Sequence, residues 1–324
     1  MNARTDGVGL GSFWGLVCVA TALAQEAPPA ARVIEREPHH NLIEAVRPEL
    51  DAAGQVVMVT NRYVELATGL NRFDSDAGAW VPAVAGFELT TSGYFVARHT
   101  QHQVILAPDL LTEGAVDCFT PDGLRLRSTP YGIGVLDAAS GRSVLLAGLQ
   151  SCQGELVSPT EVVFPRAFDT LQASVRFTTG LATWEQDVVL EEAITPDLLA
   201  KLGIDPATAQ VFVMTEFFAP PVPEVATHTL LTRQGTPVPD VQLGFGQMFI
   251  GTGQALAPAA IDPVPVFKDW SRIENRQFLI ESVAYADLAP LLAGLPAPAE
   301  ARARGLLDRV KRTAALPKRN PPVR

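Results

Sequence analysis

The chain has 324 residues, of which 47% are hydrophobic, and a formal net charge of −10 at pH 7. This hydrophobic content excludes a largely disordered chain, and the length suits one large β domain or two modest ones. The negative charge argues against general attraction to nucleic acid or to anionic membranes.

Residues 1–24 predict a secretory signal peptide. A positive charge precedes an apolar stretch at residues 8–20, and Ala22-Leu23-Ala24 places small residues before a cleavage site at Gln25. The stretch is shorter than the roughly 20 apolar residues of a membrane-spanning helix. We therefore expect export to the periplasm, cell surface or exterior, with no membrane span after cleavage. The alternatives are an uncleaved membrane anchor and a lipid anchor at Cys18.

Cleavage of that segment leaves Cys118 and Cys152 as the cysteines of the mature chain. In an oxidising compartment they can form one disulfide, closing a loop of about 35 residues. Both lie at ends of predicted strands beside turns, where a bridge is geometrically feasible. Two buried free thiols are the alternative, and the sequence leaves both open.

Residues 25–54 are predicted to be an extended lead-in. Pro28-Pro29 cannot join a helix or a central strand ladder, while residues 33–37 and 41–46 are short candidate strands. Adjacent histidines point to opposite sides of a strand, so His39-His40 is interpreted as a solvated pair.

Residues 55–285 are predicted to form the β domain. Thr120-Pro121-Asp122-Gly123 has the residues of a tight turn, and residues 137–142 repeat that chemistry one hairpin later. The predicted strands are 56–66, 80–84, 87–90, 93–99, 103–107, 115–120, 124–128, 132–137, 143–149, 162–164, 172–178, 184–191, 211–218, 225–231, 241–250 and 277–283.

One helix is predicted inside this domain, from Thr195 to Leu202. Thr195 suits the N-cap, Pro196 suits the first helical position and Gly203 suits the end. Strands do not alternate regularly with crossover helices, which argues against a parallel α/β sheet. We therefore predict an all-β fold, a large supersandwich-like antiparallel β-sandwich of two sheets and about fifteen strands.

Residues 286–324 are predicted to be a helical, basic C-terminal appendage. Residues 287–295 suit a helical turn or two, and residues 299–314 suit an amphipathic helix. Residues 301–324 hold eight Lys or Arg against one acid, Asp308. This segment is either a basic patch for an acidic wall polymer or membrane surface, or a solvated chain end.

The sequence contains no phosphate-binding loop, nucleophile elbow, zinc-binding helix or cysteine cluster, and we expect no cofactor. The best metal candidates are His99 and His102, with Asp117 or Glu216 as a third ligand. Three residues apart, the histidines face opposite sides of a regular strand, so a bulge or turn at Thr100 is needed. Two hydrogen-bonding surface histidines are the default interpretation.

Glu185 and Asp187 emerge on the same side of one predicted strand. Such a pair can serve as acid and base toward a sugar, and Glu216 is a third candidate carboxylate. The alternative is an ordinary wet strand face, with Val188 and Leu190 supplying the core on the other side.

Aromatic side chains reaching one face would provide a platform for sugar stacking. Each of them is otherwise a core anchor or a strand-edge residue. The candidates are Trp80, Trp184, Trp270, Tyr63, Tyr94 and Tyr131.

Residues 60–71, TNRYVELATGLN, resemble the N-terminal β-rich regions of large uncharacterised secreted bacterial proteins, some with repeat or lectin-like modules further along. Residues 120–123, 184–188 and 215–218 fit the same resemblance. It implies a secreted β domain and carries over no catalytic residues.

The expected function is therefore a secreted, non-catalytic domain that binds or scaffolds at the bacterial cell envelope or outside the cell. A polysaccharide or another envelope protein is the expected partner. One alternative is a carbohydrate-active enzyme that uses Glu185, Asp187 or Glu216 with His99 or His102. A further alternative is an assembly subunit whose open strand edges pair with partners.

Overall fold

The computed structural model describes residues 30–257 and 262–314, and the predicted signal peptide lies outside the described residues. Strands make up 53% of the structure and helices 8%, which confirms the all-β prediction. Every strand pair between named strands of the described residues is antiparallel. None of the described helices combines the length and the apolar character that crossing a membrane requires.

The largest element is a ten-stranded sheet. Its long strand β10 pairs with β9 and then β11 along one edge, and with β16 along the other. In hydrogen-bonded order the strands are β20 (Gly253–Ala255), β21 (Val264–Ile273), β22 (Arg276–Ala284), β16 (Ala209–Phe217), β10 (Arg125–Asp137), β9 (Val116–Phe119), β8 (Gln103–Leu106), β7 (Phe95–Ala97) and β6 (Glu88–Leu89), with β11 (Ser143–Gly148) beside β10.

Two smaller sheets pack against one face of this sheet and make a sandwich. Gln186 reaches Thr215 across the layers at 3.0 Å, and Trp270 meets Phe245 with ring centroids 6.0 Å apart. The first small sheet contains β12 (Glu155–Ser158), β13 (Glu161–Phe164), β14 (Ala173–Thr179) and β15 (Trp184–Leu190). The second contains β17 (Glu224–Leu231), β18 (Pro237–Phe245) and β19 (Met248–Ile250).

The core lies between these layers and is built around a chain of aromatic rings. Phe164 is fully buried and packs edge-on against Phe95 and Phe177, with centroids 6.3 and 5.7 Å away. Phe177 in turn stacks on Trp184. These contacts fix how the four-stranded sheet sits on the ten-stranded sheet.

The N-terminal strands form a separate three-stranded sheet, β1 (Ala30–Glu37), β2 (His40–Leu50) and β3 (Val56–Leu66), which we call the arm. All the other described residues are called the body, and they include the small hairpin of β4 (Asn71–Asp74) and β5 (Ala79–Pro82). The boundary predicted at residue 54 falls inside the β2–β3 turn, because these two strands pair over their whole length.

Three helices complete the structure, α1 (Pro196–Lys201), α2 (Tyr285–Leu292) and α3 (Glu300–Ala314). The predicted cap of α1 is confirmed, since the Thr195 hydroxyl accepts a hydrogen bond from the Leu198 N–H at 3.2 Å. Tyr285 donates to the Ile194 carbonyl at 2.7 Å, and Leu306 is buried in the core. The described part of the basic appendage is therefore packed on the body.

Some sequence predictions of sheet structure were wrong. Residues 30–257 and 262–314 form five sheets, where two were predicted. Residues 124–128 and 132–137 belong to one strand, because a bulge at Tyr131 accommodates the missing N–H of Pro130. Residues 241–250 contain a tight turn at Gly246, whose φ of 59° ends β18 and begins β19. Strands β4, β12, β20 and β21 were not predicted.

Candidate binding cleft

A cleft of about 470 Å³ lies at one end of the ten-stranded sheet, where β16 ends and β21 turns into β22. It is formed by two chain segments, about fifty residues apart in sequence. The residues that line this cleft are Glu216, Phe217, Phe218, Ala219, Pro220, Pro221, Val222, Pro223, Trp270, Arg272, Asn275, Arg276 and Gln277.

One side of the cleft is the two-residue turn between β21 and β22. Glu274 and Asn275 both have positive φ, 49° and 67°, and the flanking residues Ile273 and Arg276 pair across the hairpin. Positive φ at both central positions is the pattern of a type I′ turn, in which asparagine is favoured. The turn places Arg272, Asn275 and Arg276 at the rim.

The other side is the segment that leaves β16, Phe218-Ala219-Pro220-Pro221-Val222-Pro223. Ala219 turns the chain with a φ of 45°. Each proline ring then fixes its own φ and stiffens the segment. The wall of the cleft is therefore held largely in place before any ligand arrives, and Val222 projects fully into solvent.

Glu216 and Arg276 form a two-point ion pair within the cleft. Arg276 Nε lies 2.6 Å from Glu216 Oε1, and a second guanidinium nitrogen contacts Oε2. Parallel N–H···O bonds of this kind fix the orientation of both side chains. The hydrogen bond to Glu216 raises the pKa of Arg276 above its ordinary value.

The same guanidinium lies over two aromatic rings. Arg276 Cζ is 4.9 Å from the centroid of Tyr131 and 5.0 Å from that of Phe278. Tyr131 is the bulged residue of β10, and 36% of its surface is exposed. The arrangement combines an oriented cation with an exposed aromatic ring beside the cleft.

An apolar group and a free cation complete the site. Trp270 packs edge-on against Phe217, with centroids 5.0 Å apart, and is half-buried at the cleft. Arg272 is exposed and makes no hydrogen bond or ion pair with the described residues. Among the lining residues, Arg272 and Arg276 thus stand against one acid, Glu216, and Glu274 adds a carboxylate in the adjoining turn. The cleft is therefore less acidic than the protein as a whole.

The other predicted carboxylates lie elsewhere. Gln186 points inward to Thr215, so its neighbours Glu185 and Asp187 face outward from the four-stranded sheet. Asp187 is paired with Arg176 at 2.8 Å. Both carboxylates therefore lie on one outward face of this sheet, which corresponds to the alternative of an ordinary wet strand face.

Glu216 projects from the opposite side of the sandwich. Thr215 faces the inner layer, and the adjacent Glu216 therefore points to the outer face of the ten-stranded sheet. Packed sheets lie about 10 Å apart, so both layers separate Glu216 from Glu185 and Asp187. The structure does not bring the predicted acid and base candidates together.

The two candidate histidines have different environments. His99 is exposed and bonds Glu88 at 2.9 Å, whereas His102 is buried and its Nε2 has no hydrogen-bond partner among the described residues. Burial lowers the pKa of His102 to about 4. Asp117 is engaged by Arg125. In residues 30–257 and 262–314, no group of three His, Cys, Asp or Glu is placed to hold a metal.

The aromatic candidates are dispersed. Trp184 stacks in the core, Tyr94 is exposed at the β6–β7 turn, and Trp80 lies at a separate cleft of about 310 Å³ between β1 and β5. Among these aromatic residues, Tyr131 lies beside the cleft, under the Arg276 guanidinium that Glu216 binds. Trp270 lines the cleft from the inner face of the sheet.

Both cysteines are free and buried in the structure, which corresponds to the second of the two alternatives left by the sequence. Desolvation raises the pKa of Cys118 to about 12 and that of Cys152 to about 11. The neutral thiol is therefore the stable form of each, and it packs as a small apolar group.

Comparison with known protein families, with curated proteins and with solved structures gave no match to this chain. The resemblance to secreted bacterial proteins therefore stays a prediction. So do export and the choice of ligand.

Sequence reasoning missed Arg272, Asn275 and Arg276 as site residues. It missed them because β21 was not predicted, since Pro263 and Pro265 interrupt the start of that strand. Pro265 is tolerated there opposite Gln254 on the short strand β20. The signal that could have indicated this hairpin is the pair Glu274-Asn275, because asparagine is favoured in two-residue hairpin turns.

Proposed function

We propose that this chain is an exported, non-catalytic binding domain, and that its cleft takes a polysaccharide carrying acidic groups. The observation that carries the proposal is the fixed Arg276 guanidinium, held by Glu216 over the Tyr131 ring. The unpaired guanidinium of Arg272 lines the same cleft from the other face of the hairpin. Export rests on the predicted signal peptide.

The chemistry of the lining suits a sugar polymer. Aromatic faces stack on the apolar faces of sugar rings, and planar polar side chains bond their hydroxyl groups. Trp270 lines the cleft at the inner face of the large sheet, and Tyr131 offers a second ring beside the cleft, under Arg276 at the outer face. Asn275 and Gln277 offer amide groups at the cleft.

The local charge favours acidic groups on that polymer. The protein carries a net charge of −10, yet the cleft has two arginines and one carboxylate. Arginine binds carboxylates through paired N–H donors, and Arg272 is exposed with these donors unused by described residues. A uronic-acid polymer meets this requirement.

The placement of the carboxylates supports binding over hydrolysis. Glycoside hydrolysis ordinarily uses two carboxyl groups about 5 to 9.5 Å apart. Glu216 is bound at both oxygens by Arg276, and Glu185 and Asp187 lie on the opposite outer face of the sandwich.

The test is a binding screen of the mature chain against neutral and uronic-acid polysaccharides, with release of soluble sugars scored in the same samples. We expect binding of the acidic polymers, weakened at least tenfold by Tyr131→Ala and by Arg272→Ala. Tyr94→Ala is the matched control, because Tyr94 is a comparably exposed tyrosine (40%) of the same sheet, away from the cleft.

Two outcomes would contradict the proposal. Equal loss of binding in Tyr131→Ala and Tyr94→Ala would place the ligand outside this cleft. Sugar release that disappears in Glu216→Gln would make the domain an enzyme.

A further inference from the structure

The outer edge of β3 is an open strand edge. In the arm, β3 pairs with β2 on one side, and no described residue pairs with it on the other. Leu66, Val56 and Met58 are 76, 67 and 64% exposed. An eleven-residue edge with free N–H and C=O groups and exposed apolar side chains is a template for another strand.

This edge lacks the usual protection against pairing. The strand, Val56–Leu66, contains no proline and no lysine, and its pairing with β2 shows no register shift. The opposite edge of the arm differs, because β1 has a bulge at Ile34 and faces β5 across the smaller cleft. The open edge at β3 is therefore not a general property of the arm.

The pattern of polar and apolar residues along β3 is nearly the same from either end of the strand. Apolar residues predominate at both ends, with Glu65 as the exception, and Thr60-Asn61-Arg62 is the polar centre. Directly opposite residues of an antiparallel pair project from the same face. With Asn61 opposite Asn61 of a second strand, Val56 meets Leu66, Met58 meets Val64 and Val59 meets Tyr63. Val57 meets Glu65, whose carboxylate bonds Asn41 of its own arm.

We propose that two copies of this chain join edge to edge through β3, antiparallel, with Asn61 on the two-fold axis. The two arms then form one six-stranded sheet. All eleven residues of each strand overlap in this register. Main-chain hydrogen bonds supply affinity, and the apolar pairs at each end set the register.

Charge permits this contact between two acidic molecules. Each copy carries a net charge of −10, but β3 itself contributes one base and one acid, Arg62 and Glu65. Both are held within their own arm, since Arg62 bonds Glu44 at 3.0 Å and Glu65 bonds Asn41 at 2.8 Å. The edge is therefore locally neutral, and the charge ladders need not rearrange when the copies join.

The test is sedimentation of the mature chain over a concentration series, with Asn61→Lys and Asn61→Asp measured separately and mixed. Asn61 is exposed, so either charge is tolerated in a single copy. In the joined pair, each variant sets like charges directly opposite each other. We expect a wild-type dimer, a dimer Kd raised at least tenfold in each variant, and recovery of the dimer when the two are mixed.

Thr229→Lys and Thr229→Asp are the matched controls, because Thr229 is an exposed, uncharged mid-strand residue of β17 in the body. They should leave the dimer Kd unchanged. A wild-type chain that stays monomeric would overturn the proposal, including the case in which another part of its own chain covers β3. A dimer insensitive to both Asn61 variants, or one that mixing fails to restore, would overturn the register.

Discussion

The arm and the body are built from the same kind of strand and reach opposite degrees of burial. In β10 of the body, nine of the thirteen residues are buried. In β3 of the arm, ten of the eleven residues are exposed. A β-rich, apolar sequence therefore specifies a strand without specifying what covers it.

The two regions are also stabilised by different interactions. The body closes over an aromatic and aliphatic core. The arm is crossed by a charge ladder in which Glu44 accepts from Arg32 at 2.8 Å and from Arg62 at 3.0 Å. These hydrogen bonds lower the pKa of Glu44. Ladders of this kind align strands but bury little apolar surface, so the arm should open more readily than the body.

Asn71 forms the joint between the two. It is fully buried, and its amide donates to the Glu37 carbonyl at 2.7 Å and to Asn41 Oδ1 at 2.8 Å. Its own carbonyl accepts from Gln101 at 2.7 Å. One side chain thus connects β1, β2 and β4.

The largest predicted effect concerns a buried ion pair of the body. Lys268 Nζ lies 2.9 Å from both oxygens of Asp240, and the two side chains are 0% and 1% exposed. The pair joins β21 to β18. Lys268→Met leaves the Asp240 carboxylate buried without its cation, and we expect a loss of about 3–5 kcal/mol in the free energy of unfolding by urea.

Lys201→Met is the matched control, because Lys201 pairs with Asp197 on the exposed surface of α1. Its loss should stay below about 1 kcal/mol. If Lys268→Met and Lys201→Met lowered the free energy of unfolding equally, burial would not determine what an ion pair contributes. The predicted difference between the buried and the exposed pair would then be wrong.

Much of the body's strand pattern was predictable from local signals. The Pro-Asp-Gly turn at residues 120–123 and the alternation after it located the hairpin of β9 and β10. The limits of β3 were predicted to the residue. Helix α1 followed from Thr195, Pro196 and Gly203. These features depend on neighbours in sequence, which the sequence displays directly.

The missed features depend on contacts between distant segments. The exposed state of β3 follows from the absence of a covering layer among described residues, and Val56-Val57-Met58-Val59 has the composition of a core strand. The cleft needs Glu216 of β16 beside Arg276 of β22. Neither relation has a signature within a short window of sequence.

The second prediction tests whether the arm opens separately. Asn71→Ala removes the amide that satisfies the Glu37 carbonyl and Asn41, at a cost of about 1–3 kcal/mol. We expect faster amide hydrogen exchange in β1 and β2, with protection in β10 and β16 unchanged. Thr229→Ala, on the exposed face of strand β17 in the body, is the control and should alter neither region. Equal acceleration in body and arm would show that the two unfold as one unit.

The smallest predicted effect is a pH dependence confined to the body. Glu281 is half-buried opposite Lys268, with Asp187 and Asp240 also near, and burial raises its pKa from 4.5 to about 7. The folded chain therefore holds this proton more tightly than the unfolded chain does. This contribution to stability is complete below pH 4.5 and is lost as the pH rises to about 7.

His102 acts with the opposite sign. Burial lowers its pKa from 6.5 to about 4, so the unfolded chain binds that proton more tightly and stability falls as the pH drops below 6.5. Between pH 4.5 and 6.5 the two groups oppose each other. Glu281→Gln should therefore uncover a rise in stability as the pH increases over this interval. At pH 8 it should add about 1 kcal/mol to the free energy of unfolding, because solvent and Lys268 screen most of the cost of the half-buried carboxylate.

Urea unfolding at several pH values measures this effect, with Glu185→Gln as the control on an exposed strand face. Amide exchange of β1 and β2 should not change in Glu281→Gln, because the carboxyl lies in the body. A variant no more stable than the wild type at pH 8 would show that Lys268 already compensates the charge of Glu281. In that case Lys268, Asp240 and Glu281 act as one charge-balanced cluster. The body, like the arm, is then stabilised by ion pairs as well as by its apolar core.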